Sequence, residues 1–341
     1  MTLDPDRRSA LLVTKLRALV AHRWELGNDV RTGVFPNGAT LVDPDAARAW
    51  VLVEGDAGRR LGGALAVALR AGAGELHLVV DDPVSGADVA RRASVFHVRS
   101  TVWRSRGKEL VVVEPAPPAV DAAPPPEAEL YRPVLHQAGL DVVVEGGELG
   151  GEVLGLEVAR VVVDPDGSAR VEAGVGRFDR EAGAMMFADL GETDSVARAA
   201  DIVRRYRVPG AERHPLNQLV PERWLRTVVV ADPGLVGATT LRAVGSARPR
   251  RNLTEDGVAT ALGIDSERRP MVVVCSTGVD LDLVPSALDD RLTHAPEARV
   301  LLTMPERDRV PVTEDLVALA GPEVEIVTVP DHWRQLGSDS S

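Results

Sequence analysis

AWVLVEGDAGRRLGGALAVALRAGAGELHLVVDD (Ala49–Asp82) reads as strand, helix, strand. VLV and LHLVV are short apolar runs of strand length, and an Ala/Leu-rich segment ended by glycine lies between them. Working outward, GADVARRASVF (86–96) reads as a helix, and RSTVWRS with KELVVVE as a hairpin around Arg106-Gly107. Upstream, Leu12, Leu16, Leu19 and Val20 recur at helical spacing within Pro5–Trp24. TGVFPNGATLVD (32–43) has the Pro-Asn-Gly signature of a hairpin. Strand–helix alternation predicts a parallel sheet covered by helices.

EPAPPAVDAAPPPEAE (Glu114–Glu129) breaks the pattern. Prolines lack the donor that a helix or strand interior needs and hold the chain extended, so this is a linker. Beyond it, a short helix over Tyr131–Gly139 precedes three strands, LDVVVEG, EVLGLEVARVVVD and SARVEAGVGRF, the last two joined by the turn Asp164-Pro-Asp-Gly167. A helix follows over 194–207, with Val196, Ala199, Ala200, Val203 and Tyr206 on one stripe. TVVVADPG (227–234) reads as a buried strand. The alternation then returns in PMVVVCSTG, LVPSALDDRL, ARVLLTMPERD, TEDLVALAG and EVEIVTVP.

The expected fold class is therefore α/β, with two strand–helix alternating lobes, mainly parallel, flanking a small antiparallel β unit. The boundaries are 1–114 for the first lobe, 115–129 for the linker, 130–210 for the antiparallel unit with its helix, 211–333 for the second lobe and 334–341 for a tail. The lobes run in the same order with negligible residue identity, which leaves duplication open.

The chain has 341 residues and a net charge of −12, with 45% hydrophobic residues. The acidic balance disfavours nucleic acid, whose binding depends on phosphate neutralisation, and also an acidic membrane surface. A single cysteine, Cys275, excludes an intrachain disulfide and a thiolate zinc cluster. The seven histidines show no ligand spacing, and no metal site is assigned. No signal-peptide core or membrane-length apolar run is present, so the expected location is the cytoplasm.

GLDVVVEGGELGGEVLGLEVARVV (Gly139–Val162) resembles the core of the PD-(D/E)XK nuclease superfamily, which pairs an acid on one strand with Glu-x-Lys on the next. The resemblance implies Asp141 and Glu157 as the acids holding Mg²⁺ or Mn²⁺ for phosphodiester hydrolysis. Ala159 stands at the lysine position. Strict alternation turns Arg160 to the opposite face, leaving Arg177 on the next strand as the substitute cation. The structural alternative is a hairpin with Glu157 paired to an arginine such as Arg170.

The other candidates each have a bland counterpart. Ser276, Thr277, Gly278 and Asp280 follow a buried strand, at the end where α/β proteins bind ligands. Against this, Cys275 is read as an inert core thiol and Asp280 or Asp282 as a helix cap; Leu281 stands where a cysteine phosphatase needs arginine. Asp81, Asp82, Glu306 and Asp308 also sit at strand ends, as metal or ribose ligands or as turn residues. In VEGDAGRRLGG, Gly55, Gly58 and Gly62 could let phosphate approach a helix N-terminus; the counterpart reads Gly62 and Gly63 as packing glycines against the sheet. Arg248, Arg250 and Arg251 form an anion site or a solvated loop. Arg177, Asp179, Arg180 and Glu181 form a charge network or a salt-bridged turn, and Met185, Met186 and Phe187 are read as core.

No catalytic template is complete. The expectation is a binding or regulatory protein with a small-ligand or protein-partner site at Ser276, Thr277, Gly278 and Asp280, requiring no cofactor. A metal-dependent nuclease or hydrolase using Asp141 and Glu157 is the first alternative; a self-associating structural module is the second.

Overall fold

The computed structural model describes residues 4–176, 191–211, 214–250 and 252–336. Two compact units divide them. The first takes the chain to Pro118 together with Leu281–Asp289 and Val310–Val324. The second takes Ala119–Asp280, Asp290–Arg309 and the chain from Glu325 on.

In the first unit the Pro-Asn turn joins β1 (Arg31–Phe35) to β2 (Gly38–Asp43), with Asn37 at φ 53°. Then come β3 (Arg48–Val53), α2 (Leu61–Arg70), β4 (Glu75–Val80), α3 (Pro83–Ala93), β5 (Arg99–Arg106) and β6 (Glu109–Val112), with α1 (Pro5–Ala21) leading. The sheet runs β1-β2-β3-β4-β5-β6. Its central pairings, β3–β4 and β4–β5, are parallel. The pairings toward both edges are antiparallel. The sheet is thus mixed rather than mainly parallel, because a hairpin closes each end of the strand–helix alternation.

The leucine stripe of α1 covers this sheet, burying Leu12, Leu16, Leu19 and Val20 with Leu41, Trp50, Leu52 and Trp103. Trp24, Trp50 and Trp103 surround His77, and the Trp103 indole donates to His77 Nδ1 at 3.2 Å. Burial among these rings pulls the His77 pKa down to about 4. Gly62 packs differently from its sequence reading. A Cβ there would lie 1.8 Å from the Leu281 carbonyl oxygen, so at Gly62 helix α2 meets the chain at Leu281–Asp282, whereas Gly63 faces the Phe35 ring of β1. The Asp282 carboxylate accepts from Gly62 N at 2.9 Å.

The second unit begins with α4 (Pro126–Glu129) and α5 (Arg132–Gln137). Four strands follow, not three: β7 (Asp141–Glu145), β8 (Glu148–Val153), β9 (Leu156–Val163) and β10 (Ala169–Ala173). They form an antiparallel sheet of order β10-β9-β8-β7. The run EVLGLEVARVVVD hides a reversal at Leu154-Gly155, with φ of 46° and 75°. Its apolar flanks gave no turn signal. At Gly155 a Cβ would also sit 2.3 Å from the Arg223 carbonyl carbon, so glycine is required twice over.

Next are α6 (Glu192–Tyr206), α7 (Pro215–Gln218) and α8 (Pro221–Ala231). TVVVADPG is therefore largely helical, contrary to its β-branched composition. Trp224, Leu225, Val228 and Val229 share a buried face, and that packing outweighs propensity. Two strands unmarked in the sequence, β11 (Ala238–Val244) and β12 (Ala259–Asp265), precede β13 (Pro270–Cys275). After these, in chain order, come α9 (Leu283–His294), whose residues to Asp289 belong to the first unit, β14 (Arg299–Pro305), α10 (Pro311–Ala320), which belongs to the first unit, and β15 (Val324–Val329). The sheet order is β11-β12-β13-β14-β15. β11–β12 and β12–β13 are antiparallel and β13–β14 parallel, the pattern of β1 to β4. No helix among the described residues is long and apolar enough to cross a membrane.

Candidate functional site

Asp141 and Glu157 lie in one row of residues across the middle sheet. Asp141 pairs with Glu152, and Glu152 pairs with Glu157. Strand β8 thus separates them, and two strand spacings amount to about 10 Å between their backbones. Asp141 is exposed on the edge strand. Glu157 is engaged by Arg160, which donates to it at 3.0 and 2.8 Å.

That pairing corrects two expectations. A register shift opposite Gly151/Glu152 adds a residue to β9, so Glu157 and Arg160 face the same way despite a spacing of three. Arg170 pairs instead with Asp164 and Glu172. Arg177, Asp179, Arg180, Glu181, Met185, Met186 and Phe187 lie outside the described residues. Among those described, no group of three or more His, Cys, Asp or Glu side chains is arranged to hold a metal ion.

Glu152 is the centre of a buried ion cluster. It accepts from Arg223 Nη1 at 3.1 Å and from Arg226 Nη2 at 2.6 Å. Arg223 also pairs with Glu145, and Arg160 with Glu148. Burial pushes the Glu152 pKa up against the pull of Arg226 and Arg223. The void between these side chains is about 10 Å³, no larger than a water site. The arrangement is a structural clamp: α8 carries both arginines and is fastened through them to β8.

The strand-end residues of β13 belong to a larger space. Thr277, Gly278 and Asp280 line a cavity of about 340 Å³, completed by residues 218–222, Arg250 and residues 253–257. The loop is held by two hydrogen bonds from its backbone: Ser276 N donates to the Thr303 carbonyl at 2.9 Å, and Gly278 N to Asp308 Oδ2 at 2.8 Å. Ser276 itself is buried and outside the lining, so its hydroxyl does not face the cavity. Val220, at φ 41° and ψ 54°, forms part of the wall. A β-branched residue in that region is strained, and such strain clusters at functional sites.

The cavity walls carry four carboxylates, Glu222, Glu255, Asp256 and Asp280, against one guanidinium, Arg250. Glu222 and Arg250 pair with each other and are both buried. Burial draws the Arg250 pKa down, and Glu222 opposes the fall. Glu255, Asp256 and Asp280 each make further contacts of their own.

Other candidates resolve as scaffold. Cys275 is fully buried and its pKa is pushed up to about 12, so it is an inert thiol. Asp82 caps α3, accepting from Val84 N at 3.2 Å and Ser85 N at 3.0 Å. Asp81 accepts from Gly55 N at 3.2 Å. Glu306 is exposed in a single helical turn with Asp308. Arg248 N donates to Ser246 Oγ at 3.4 Å, and Arg251 lies outside the described residues. Sequence reasoning missed Glu222 and Val220, at the start of α8, and residues 253–257, which reach the cavity from segments separate in sequence. It had weighed Arg250 only as part of a basic run.

Comparison with protein-family models, curated proteins and solved structures gives no match, so the functional reading rests on the site alone.

Proposed function

We propose that the second unit is a receptor for a small polar ligand carrying an amine or other positive group, bound in the cavity at the C-terminal end of β13. One observation carries this reading. A loop following a strand that has a parallel neighbour, pinned by Asp308 and Thr303, opens onto about 340 Å³ whose lining mixes apolar residues with four carboxylates and one guanidinium. Ligand cavities of roughly 300–1,000 Å³ at strand C-termini are the usual sites of small-molecule binding in α/β proteins. The excess of carboxylates over guanidiniums in the lining favours a cation over a free phosphate.

A thermal-shift screen with a library of amines, nucleosides and organic acids tests it. Saturation at about 100 times Kd stabilises a protein by about 2.7 kcal/mol, a readable rise in Tm. The expected hits are amines. Their shift disappears in Thr277→Trp, which fills the space, and weakens in Asp280→Asn. Hits that survive both substitutions, or a library dominated by anions, contradict the proposal.

A further inference from the structure

A second space in the same unit has different walls and a different chemistry. It is a groove of about 420 Å³ between two sheet edges, bounded by Val142 and Val144 of β7, by Arg242, Ala243 and Val244 of β11, by linker residues 121–124 and by Arg132. β7 is the edge of the antiparallel sheet and β11 the edge of the five-stranded one. The edges meet at one end: a Cβ on Gly245 would lie 2.8 Å from Glu145 Cα and 2.9 Å from the Val144 carbonyl oxygen.

That contact fixes the direction of the backbone. The Val144 carbonyl points away from β8 toward Gly245. Along a strand, residues two apart direct their peptide groups to the same side, so Val142 N–H and C=O also point outward. Among the described residues, Val142 makes no backbone hydrogen bond outside its own sheet. β7 therefore presents an unused ladder position to the groove, the feature that recruits an added strand.

Charge selects the strand. On the linker wall, Asp121 Oδ2 lies 3.1 Å from His294 Nδ1, and His294 Nε2 lies 2.8 Å from the Gly245 carbonyl. The Asp121 carboxylate is thus engaged by the His294 ring. Arg132 is chelated by Glu129. Arg242 is exposed, and among the described residues no ion pair or side-chain hydrogen bond engages it. The groove thus combines a valine-lined edge with an exposed arginine.

We propose that this groove binds an extended acidic peptide of a partner protein, added as a strand to β7, with an acidic side chain against Arg242 and small apolar side chains against Val142, Val144 and Val244. This site is separate from the β13 cavity and stands or falls independently of it.

Fluorescence anisotropy on the full chain with a labelled Glu-Val-Glu-Val-Glu-Val hexapeptide tests it. The acidic peptide should bind at least roughly tenfold more tightly than its Lys-Val counterpart, and Arg242→Glu should reverse that order. N-methylation of alternate peptide bonds should weaken binding by a similar factor, because it removes ladder donors. Val142→Pro, which deletes an outward N–H, should do the same; if that variant fails to fold, the N-methylated peptide carries the same question on the unaltered chain. Equal affinity for acidic and basic peptides, indifference to N-methylation, or no binding at about 1 mM overturns the proposal. So does a dimer in sedimentation that Arg242→Glu dissociates while no peptide binds, since a second copy would then be the occupant.

Discussion

Glu152 has two buried guanidiniums for company, and its removal leaves both without their shared counter-charge. Breaking a buried ion pair by deleting one partner costs about 3–5 kcal/mol, because the remaining charge stays desolvated. Glu152→Leu should therefore lower unfolding free energy in urea by about that amount. Arg170→Ala, which removes an exposed pair with Asp164, should cost less than about 1 kcal/mol. Equal costs would show that the cluster is not the clamp described. His77 gives a second test. Its folded pKa, about 4, is below the ordinary 6.5, so its contribution is complete above pH 6.5 and is lost as pH falls toward 4. The shift corresponds to about 3 kcal/mol. The first unit should lose stability over that range by denaturation followed at its three tryptophans, and His77→Gln should flatten the dependence. These residues were only partly legible. Glu152 sits in the stretch that resembled a nuclease core, but its partners Arg223 and Arg226 lie on a segment read partly as a strand.

At the level of elements, β9 and α8 show where sequence patterns mislead. A period of two placed Arg160 opposite Glu157, and one extra residue in β9 reversed it. Bulges leave no mark in hydrophobic alternation. The Leu154-Gly155 reversal was equally silent, because its neighbours are valine and leucine. Gly155→Ala should cost about 2–5 kcal/mol, combining a left-handed φ with a clash against the first turn of α8; an unchanged Tm would contradict that packing. Helix α9 supplies the pH test opposite in sign to His77. Asp290 is fully buried and accepts from Ser246 Oγ at 2.9 Å, Ala247 N at 2.6 Å and Thr260 Oγ1, with His294 one turn on. Burial raises its pKa from 3.8 to about 6 despite those donors. It binds a proton more tightly folded than unfolded, so its relative stabilisation is full below pH 3.8 and lost as pH rises through 6. Comparing Asp290→Asn with the parent, the parent should gain about 3 kcal/mol relative to the variant on acidification from pH 6.5 to 3.8. A constant difference would place the ionisation elsewhere.

For the whole molecule, helix, three-stranded meander and parallel continuation occur twice, as α1–β1–β2–β3–α2–β4 and as α8–β11–β12–β13–α9–β14. The parallel halves were readable because buried parallel strands are unbroken apolar runs such as VVVC and VLLTM. The antiparallel halves ATTLRAV and ATALGID were not, because alanine, threonine and glycine dilute their pattern. The candidate site divides along the same line. Thr277, Gly278 and Asp280 could be named from their place after a buried strand, whereas Val220, Glu222 and residues 253–257 are neighbours only in the folded chain. The central claim is that this cavity is a binding site for a small cationic ligand. A crystallographic fragment screen with amine-bearing and carboxylate-bearing fragments tests it most directly. The account predicts amine fragments clustered against Thr277, Gly278 and Asp280, with carboxylates absent there. An empty cavity with fragments clustered elsewhere, or carboxylates filling it in place of amines, would contradict it.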